Sequence, residues 1–254
     1  MPTTLIVGAT RGLGKALASD YSSRGWKVIG TARSTTAPSD SQVKHWSTGI
    51  DISKPSGPTK LAKDVKSLGP IDVTIISAGY FGLESFDDLD WDKEVTMYIT
   101  SAVAPPFIVH ELVKVGALKE NGGKVFLISS ESGSVALRHE KEGGGNYGHH
   151  GSKAAVNMVG KLLSLDLKDK GIAVGVLHPG FMRTEMTASI GFDKHWDEGG
   201  AITPEEAAKS LIEFIDTFDM KRTGEYWAPR GAADIGTSEE VLGKDLPAPL
   251  KLPY

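Results

Sequence analysis

The feature that most constrains this chain is the corner after its first apolar run: Leu5-Ile6-Val7 enters Gly8-Ala9-Thr10-Arg11-Gly12-Leu13-Gly14 and then a helical pattern. A short apolar run that breaks on glycines and resumes as a helix reads as a strand, a tight turn and a helix. Glycines there let the backbone approach a bound pyrophosphate, and the helix N-terminus offers free N–H groups and a positive dipole end. A corner of this kind belongs to a chain that alternates strands with helices.

The remainder of the sequence keeps that alternation. Short β-branched runs predict strands at 5–7, 27–31, 45–50, 73–77, 124–129, 173–177 and 224–228, with helices at 15–24, 59–68, 91–115, 151–170 and 204–218. The last helix opens on Thr203, Pro204 and Glu206, a capping-box arrangement. The pattern predicts an α/β chain with one domain over residues 1–254. Its expected core is a Rossmann-type, doubly wound parallel sheet of about seven strands with helices on both faces. Two long connections, 138–148 and 181–202, are expected to be substrate loops. Phe192 and Trp196 in the second are candidates for an apolar lid or for core packing.

Composition decides which partners to expect. Lys plus Arg number 28 against 32 Asp plus Glu, a net charge of −4 that offers no basic field for nucleic acid or anionic lipid. Cysteine is absent, which excludes disulfides, thiolate catalysis and Cys-ligated metal. No run approaches the ~20 apolar residues of a membrane helix. The expected partner is a small-molecule substrate, with no nucleic acid and no membrane, and the expected location is cytoplasmic.

The spacing Gly-x-x-x-Gly-x-Gly resembles that of short-chain dehydrogenase/reductases, and further segments follow in the order of that family. Asp51-Ile52 resembles its adenine-binding segment. Ser77-Ala78-Gly79 resembles its Asn-Asn-Ala-Gly turn with both asparagines replaced. Ser129-Ser130 ends the fifth strand, Ser152-Lys153-Ala154-Ala155 opens the next helix, and Pro179-Gly180 with Thr184 resembles the segment that holds the nicotinamide carboxamide. The resemblance spans residues 5 to 184, and the run from His178 to Thr184 is similar to the carbonyl-reductase-like subgroup of sniffer and C-factor proteins.

The resemblance implies a bound dinucleotide held by Gly8, Thr10, Arg11, Gly12, Leu13, Gly14, Asp51, Ile52, Ser77, Ala78, Gly79, Lys153, Pro179, Gly180 and Thr184. The second strand ends Gly30-Thr31-Ala32-Arg33-Ser34, with no acid to grip a free ribose 2′-hydroxyl. Arg33 and Arg11 instead offer guanidinium groups suited to a 2′-phosphate, so the expected cofactor is NADP(H). The resemblance also implies a homodimer or homotetramer.

The catalytic pattern departs from the family. Ser130 matches its serine and Lys153 its lysine, but the tyrosine expected four residues before the lysine is His149. At about 100° per residue, His149 and Lys153 lie within about 40° of one another around a helix. Tyr147 lies about 120° off that face. Residues 91–115 contain no asparagine, and the position it would take falls near Tyr98 or Ser101. His149 therefore either serves as the proton-handling group or fills the space of the tyrosine. Imidazole can donate through one nitrogen and accept through the other, and the Lys153 cation should lower its pKa. The adjacent His149 and His150 point about 100° apart, and no spaced carboxylates join them, so no metal site is expected. The resemblance implies an NADP-dependent oxidoreductase of a small carbonyl or alcohol, and the sequence places Ser130, His149 and Lys153 at its centre. An isomerase, dehydratase or cyclase on the same scaffold, or a catalytically silent NADP-binding protein, is the alternative.

Overall fold

A computed structural model describes residues 1–39 and 42–254. Its strands are β1 (Thr3–Val7), β2 (Lys27–Thr31), β3 (His45–Ser47), β4 (Val73–Ile76), β5 (Lys124–Ile128), β6 (Ala173–Leu177), β7 (Glu225–Ala228) and β8 (Leu250–Lys251). Between them run α1 (Gly12–Ser23), α2 (Ser56–Val65), α3 (Trp91–Tyr98), α4 (Ala104–Lys114), α5 (Tyr147–Asp166), α6 (Glu185–Ser189), α7 (Pro204–Thr217) and α8 (Ser238–Leu242). The strands form one sheet in the order β3-β2-β1-β4-β5-β6-β7-β8, parallel throughout except for the final β7–β8 pair.

That order is doubly wound. It reverses direction between β1 and β4, where a crevice opens at the carboxyl ends of the strands, and ligands of such sheets bind there. Side-chain alternation explains why β1 is apolar at successive positions: Leu5 and Val7 face α2, α4 and α5, packing with Leu61, Ile108 and Val156. Ile6 faces the opposite layer, with Leu17 and Tyr21 of α1 and Leu211 and Ile215 of α7. Among the described residues no helix is long and apolar enough to cross a membrane.

The fold follows the sequence pattern, with several local differences. The expected helix over 91–115 is divided, because residues Ile99–Val103 form a π-helical segment between α3 and α4. Pro105 and Pro106 explain the break: neither can donate a backbone N–H to the turn before it. The helix carrying Lys153 starts at Tyr147 rather than 151, and α2 is displaced towards the N-terminus of its expected 59–68. The third strand ends at Ser47, and β8 is an eighth strand that two ladder residues did not announce. The 181–202 connection contains α6 and a 3₁₀ turn over Phe192–His195. The 138–148 connection contains a 3₁₀ turn over Glu140–Glu142.

Candidate active site

The β1–α1 corner is a cradle that side chains would fill. Gly8 sits at φ +92°, and a Cβ there would lie 2.8 Å from Ala78 Cα; a Cβ on Gly14 would lie 1.9 Å from Gly8 O. Ser77 and Ala78 N–H both donate to Val7 O at 3.0 and 2.8 Å, drawing the β4 turn against the glycine corner. Gly8 N–H is held by Thr31 Oγ1 at 2.9 Å. Arg11 precedes α1 in an extended conformation, and its side chain does not cap the first turn that carries Leu13 and Gly14. Those amides remain free for a pyrophosphate. The residues present fit a dinucleotide.

Two stretches of surface lead away from the corner. Thr10 and the exposed Lys15 line a cavity of about 250 Å³ with Ala9, Pro38, Ser39 and Trp46. Lys15 was not singled out by sequence reasoning, although it stands four residues after Arg11 on the first turns of α1. Asp51 accepts from the Ser53 hydroxyl at 2.7 Å and amide at 3.0 Å, and these bonds, with smaller help from the charges of Lys54 and Arg33, hold its carboxyl below the usual range. The neighbouring Ile52 is buried. Arg33 is exposed, and Arg11 pairs with Glu185 at 3.3 Å, an exposed contact that contributes little. At the other end Gly12 approaches Thr184, whose hydroxyl caps α6, while Pro179 is buried and Gly180 turns at φ +98°.

Beyond the β5 end, Ser130 caps the 3₁₀ turn Glu131–Gly133. Its Oγ accepts from Ser132 N–H at 3.2 Å and donates to Ser132 Oγ at 3.1 Å, and Ser132 Oγ donates to Glu131 Oε1 at 2.7 Å. Tyr226 hydroxyl donates to Ser130 O. Lys153 Nζ donates to Ile128 O at 3.0 Å, and burial pushes its pKa down to about 8. The lysine is thus fastened to the strand end that carries Ser130.

His149 stands one turn earlier on α5, its ring stacked on Phe81 with centroids 4.2 Å apart. Phe192 meets Phe81 edge-on at 5.9 Å and Phe181 at 6.3 Å, so the 181–202 connection closes an aromatic wall over the imidazole. Burial, then the nearby charges of Lys153, His150 and Arg138, lower the His149 pKa to about 3. Its Nδ1 is buried with no hydrogen-bond partner among the described residues. Tyr147, the first residue of α5, is exposed. In the region where an asparagine was sought, Ser101 Oγ is buried and unpartnered within the π-helical segment. Tyr98 Oη lies so close to α5 that a Cβ on Gly151 would meet it at 2.1 Å.

Several participants escaped the sequence reading. Asn157 receives the Ser129 hydroxyl at 2.6 Å and donates to Gly133 O at 3.2 Å; its place four residues after Lys153 on one helical face was a usable signal. Glu84 is buried at the start of α5, accepting from Gly148 N–H at 2.9 Å, and nothing in local spacing pointed to it. The charged 138–148 connection is tied down by Arg138, which pairs with Glu131 and, at 3.2 Å, with Glu142. His149 and His150 meet edge to face at 5.5 Å, and no cluster of three metal-ligating side chains forms among the described residues.

Comparison with known proteins gives concordant matches. A family model described as short chain dehydrogenase matches residues 2–195. The 1-hydroxy-2-glutathionyl-2-methyl-3-butene dehydrogenase of Rhodococcus sp. (strain AD45) is 29% identical over 227 residues, covering 89% of this chain and 96% of that protein. Among solved structures, a short-chain dehydrogenase/reductase from Burkholderia multivorans with bound NADP is 26% identical, with a TM-score of 0.72 and coverage of 89% and 96%. The Sniffer carbonyl reductase of D. melanogaster shares the fold at a TM-score of 0.75 and 20% identity, over 99% of this chain and all (100%) of the other.

Proposed function

Given that the chain belongs to the short-chain dehydrogenase/reductase family, we propose that it is an NADP-dependent oxidoreductase of a small carbonyl or alcohol substrate, with Ser130, His149 and Lys153 handling the substrate oxygen and its proton. The observation that carries this reading is the fastening of buried Lys153 to Ile128 O, two residues before Ser130, with His149 one turn away on the same helix. Two relatives support a carbonyl and alcohol chemistry: the Rhodococcus protein is a dehydrogenase, and a relative from Escherichia coli (strain K12), 26% identical over 75% of this chain and 77% of its own length, is a 3-oxoacyl-[acyl-carrier-protein] reductase. The NADP held by the Burkholderia protein supports the choice of cofactor.

In this reading Gly8, Thr10, Gly12, Leu13 and Gly14 bind the pyrophosphate, Arg33 and Arg11 pair with the 2′-phosphate, and Asp51 and Ile52 flank the adenine. Ser77, Ala78 and Gly79 support the ribose side, and Pro179, Gly180 and Thr184 orient the carboxamide. When bound, the nicotinamide supplies or accepts the hydride. Ser130 hydrogen-bonds the substrate oxygen. His149, neutral at any working pH, donates one N–H to that oxygen and orients it, while the Lys153 ammonium, whose pKa lies near 8, is the ionised proton source. Phe81 and Phe192 exclude water from the imidazole.

The test follows NADPH absorbance with a panel of aldehydes and ketones. Turnover that falls sharply in His149→Phe and persists in Tyr147→Phe supports the reading; tight NADPH binding with no turnover of any carbonyl overturns it. The low His149 pKa and its unpartnered Nδ1 favour one second reading, proton transfer without redox change on the same scaffold. His149→Tyr separates the two: a carbonyl reductase tolerates the family residue, whereas an isomerase or cyclase that needs imidazole loses its reaction.

A further inference from the structure

Two turns face the proposed reaction centre, Ser130-Glu131 after β5 and Pro179-Gly180-Phe181 after β6. Their strands are hydrogen-bonded neighbours as far as Ser129 N–H, which donates to Leu177 O at 2.8 Å. Past that bond the chains separate, and His178 and Asp234 take over the connection. His178 Nδ1 accepts from Glu131 N–H at 2.9 Å. That nitrogen is therefore the unprotonated one, and Nε2 carries the hydrogen that it donates to Asp234 Oδ2 at 3.0 Å. The same carboxylate oxygen accepts Phe181 N–H at 2.7 Å.

We propose that His178 and Asp234 are positioning residues that lock the Ser130 turn to the Pro179-Gly180-Phe181 turn, so that the group meeting the substrate oxygen and the wall beside the nicotinamide are held in one fixed relation. The role rests on the assignment of those two turns given above. Both side chains are sealed, at 6% and 2% exposure, so the chain of bonds does not compete with water. Asp234 enters from the segment after β7, which contributes no backbone ladder to either turn. Gly180 fits the arrangement. A Cβ there would lie 3.2 Å from Asp234 Oδ2 and 3.4 Å from Arg230 Nη1, and at φ +98° the backbone already favours glycine. Burial opposes ionisation of Asp234, but the His178 and Phe181 bonds, with the charge of Arg230, hold its carboxyl below the usual range. Asp234 therefore remains a charged acceptor at neutral pH.

One oxygen carries both bonds, and this makes the test selective. Asp234→Asn retains a carbonyl oxygen for the two donors, while Asp234→Ala removes it. A misplacement of about 1 Å at a reacting centre costs roughly 100-fold, so Asp234→Ala is expected to lose about 100-fold in kcat with NADPH affinity within about threefold. Asp234→Asn should stay within about fivefold of the unaltered enzyme. Should Asp234→Ala fail to fold, His178→Asn keeps an acceptor for Glu131 N–H, severs the link to Asp234, and is expected to lose kcat to a similar extent. A kcat within twofold in a folded Asp234→Ala or His178→Asn protein, or equal damage in Asp234→Asn and Asp234→Ala, overturns the proposal. A readout independent of turnover is nitrogen NMR of His178 at neutral pH with amide exchange at Glu131 and Phe181. The Nε2–H tautomer with both amides protected supports the lock, and the Nδ1–H tautomer or rapid exchange refutes it. If no carbonyl is ever reduced, the oxidoreductase reading fails while this spectroscopic result still decides the lock.

Discussion

His149 should make the protein acid-sensitive by an amount that can be worked out in advance. The reference imidazole pKa is ~6.5. In the fold, burial and the neighbouring Lys153 lower it to about 3. The sign follows from proton counting. Between those two values the unfolded chain binds a proton that the folded chain does not, so stability is full above about pH 6.5 and is lost as pH falls towards 3. At pH 4.5 the imidazole of the unfolded chain is charged and that of the folded chain is not, two pH units below the reference value, which corresponds to about 3 kcal/mol. For a chain of this size that is roughly 10 °C in Tm. The perturbation is His149→Phe, which keeps a ring against Phe81 and removes the titrating group. Urea unfolding of both proteins at pH 7.5 and pH 4.5 gives two stability differences. The difference should move by about 3 kcal/mol in favour of the Phe variant at the lower pH. Parallel pH dependences would show that His149 titrates normally in the fold, and the burial argument would fail. The same shift predicts no His149 inflection in turnover between pH 5 and pH 7, because the imidazole stays neutral throughout.

Other outcomes follow from the same geometry. Arg33→Ala should weaken NADPH binding about tenfold or more, the loss of one charge-assisted hydrogen bond, and leave NADH affinity almost unchanged; equal affinities for both cofactors in calorimetry would contradict it. Gly14→Ala should cost at least about 2 kcal/mol and abolish dinucleotide binding, since its Cβ would lie 1.9 Å from Gly8 O; normal melting with intact NADPH binding would refute this. Burial lowers the Lys153 pKa to about 8, so carbonyl reduction should decline as pH rises through that value, and a flat profile to pH 9.5 would remove Lys153 as the proton source. Light scattering at micromolar concentration should give a dimer or tetramer, consistent with exposed Trp91, Phe107, Met158, Leu162 and Leu165 on α3, α4 and α5; a monomer would contradict it.

The parts of this molecule legible in the sequence are those written in short-range chemistry. Gly8 and Gly14 announce the β1–α1 corner because close backbone packing leaves no alternative to glycine, and the apolar runs of β1, β5 and β6 announce strands buried on both faces. The spacing of His149 and Lys153 follows from helical periodicity alone. Hidden elements depend on distant partners. Asp234 is 56 residues from His178, and no local pattern distinguishes it from a solvated acid. Glu84 reaches α5 across 64 residues to Gly148. The two-residue strand β8 is defined by its antiparallel pairing with β7 rather than by any propensity of its own.

The altered residues near the proposed centre are physically connected. A tyrosine has a reference pKa near 10, so as the final proton donor it can be assisted by a charged lysine that lowers its pKa. Imidazole in the same place meets the opposite consequence, because the lysine charge and the aromatic wall both disfavour the imidazolium. A neutral imidazole remains a good hydrogen-bond donor and a poor acid, so the ionised proton must come from elsewhere in the cleft. In the proposed mechanism that source is Lys153, buried, fastened to Ile128 O and lowered to about 8. In the proposed oxidoreductase, exchanging tyrosine for histidine would shift the acid from the substrate-facing residue to the lysine one turn along α5, and the pH dependence of turnover should move with it.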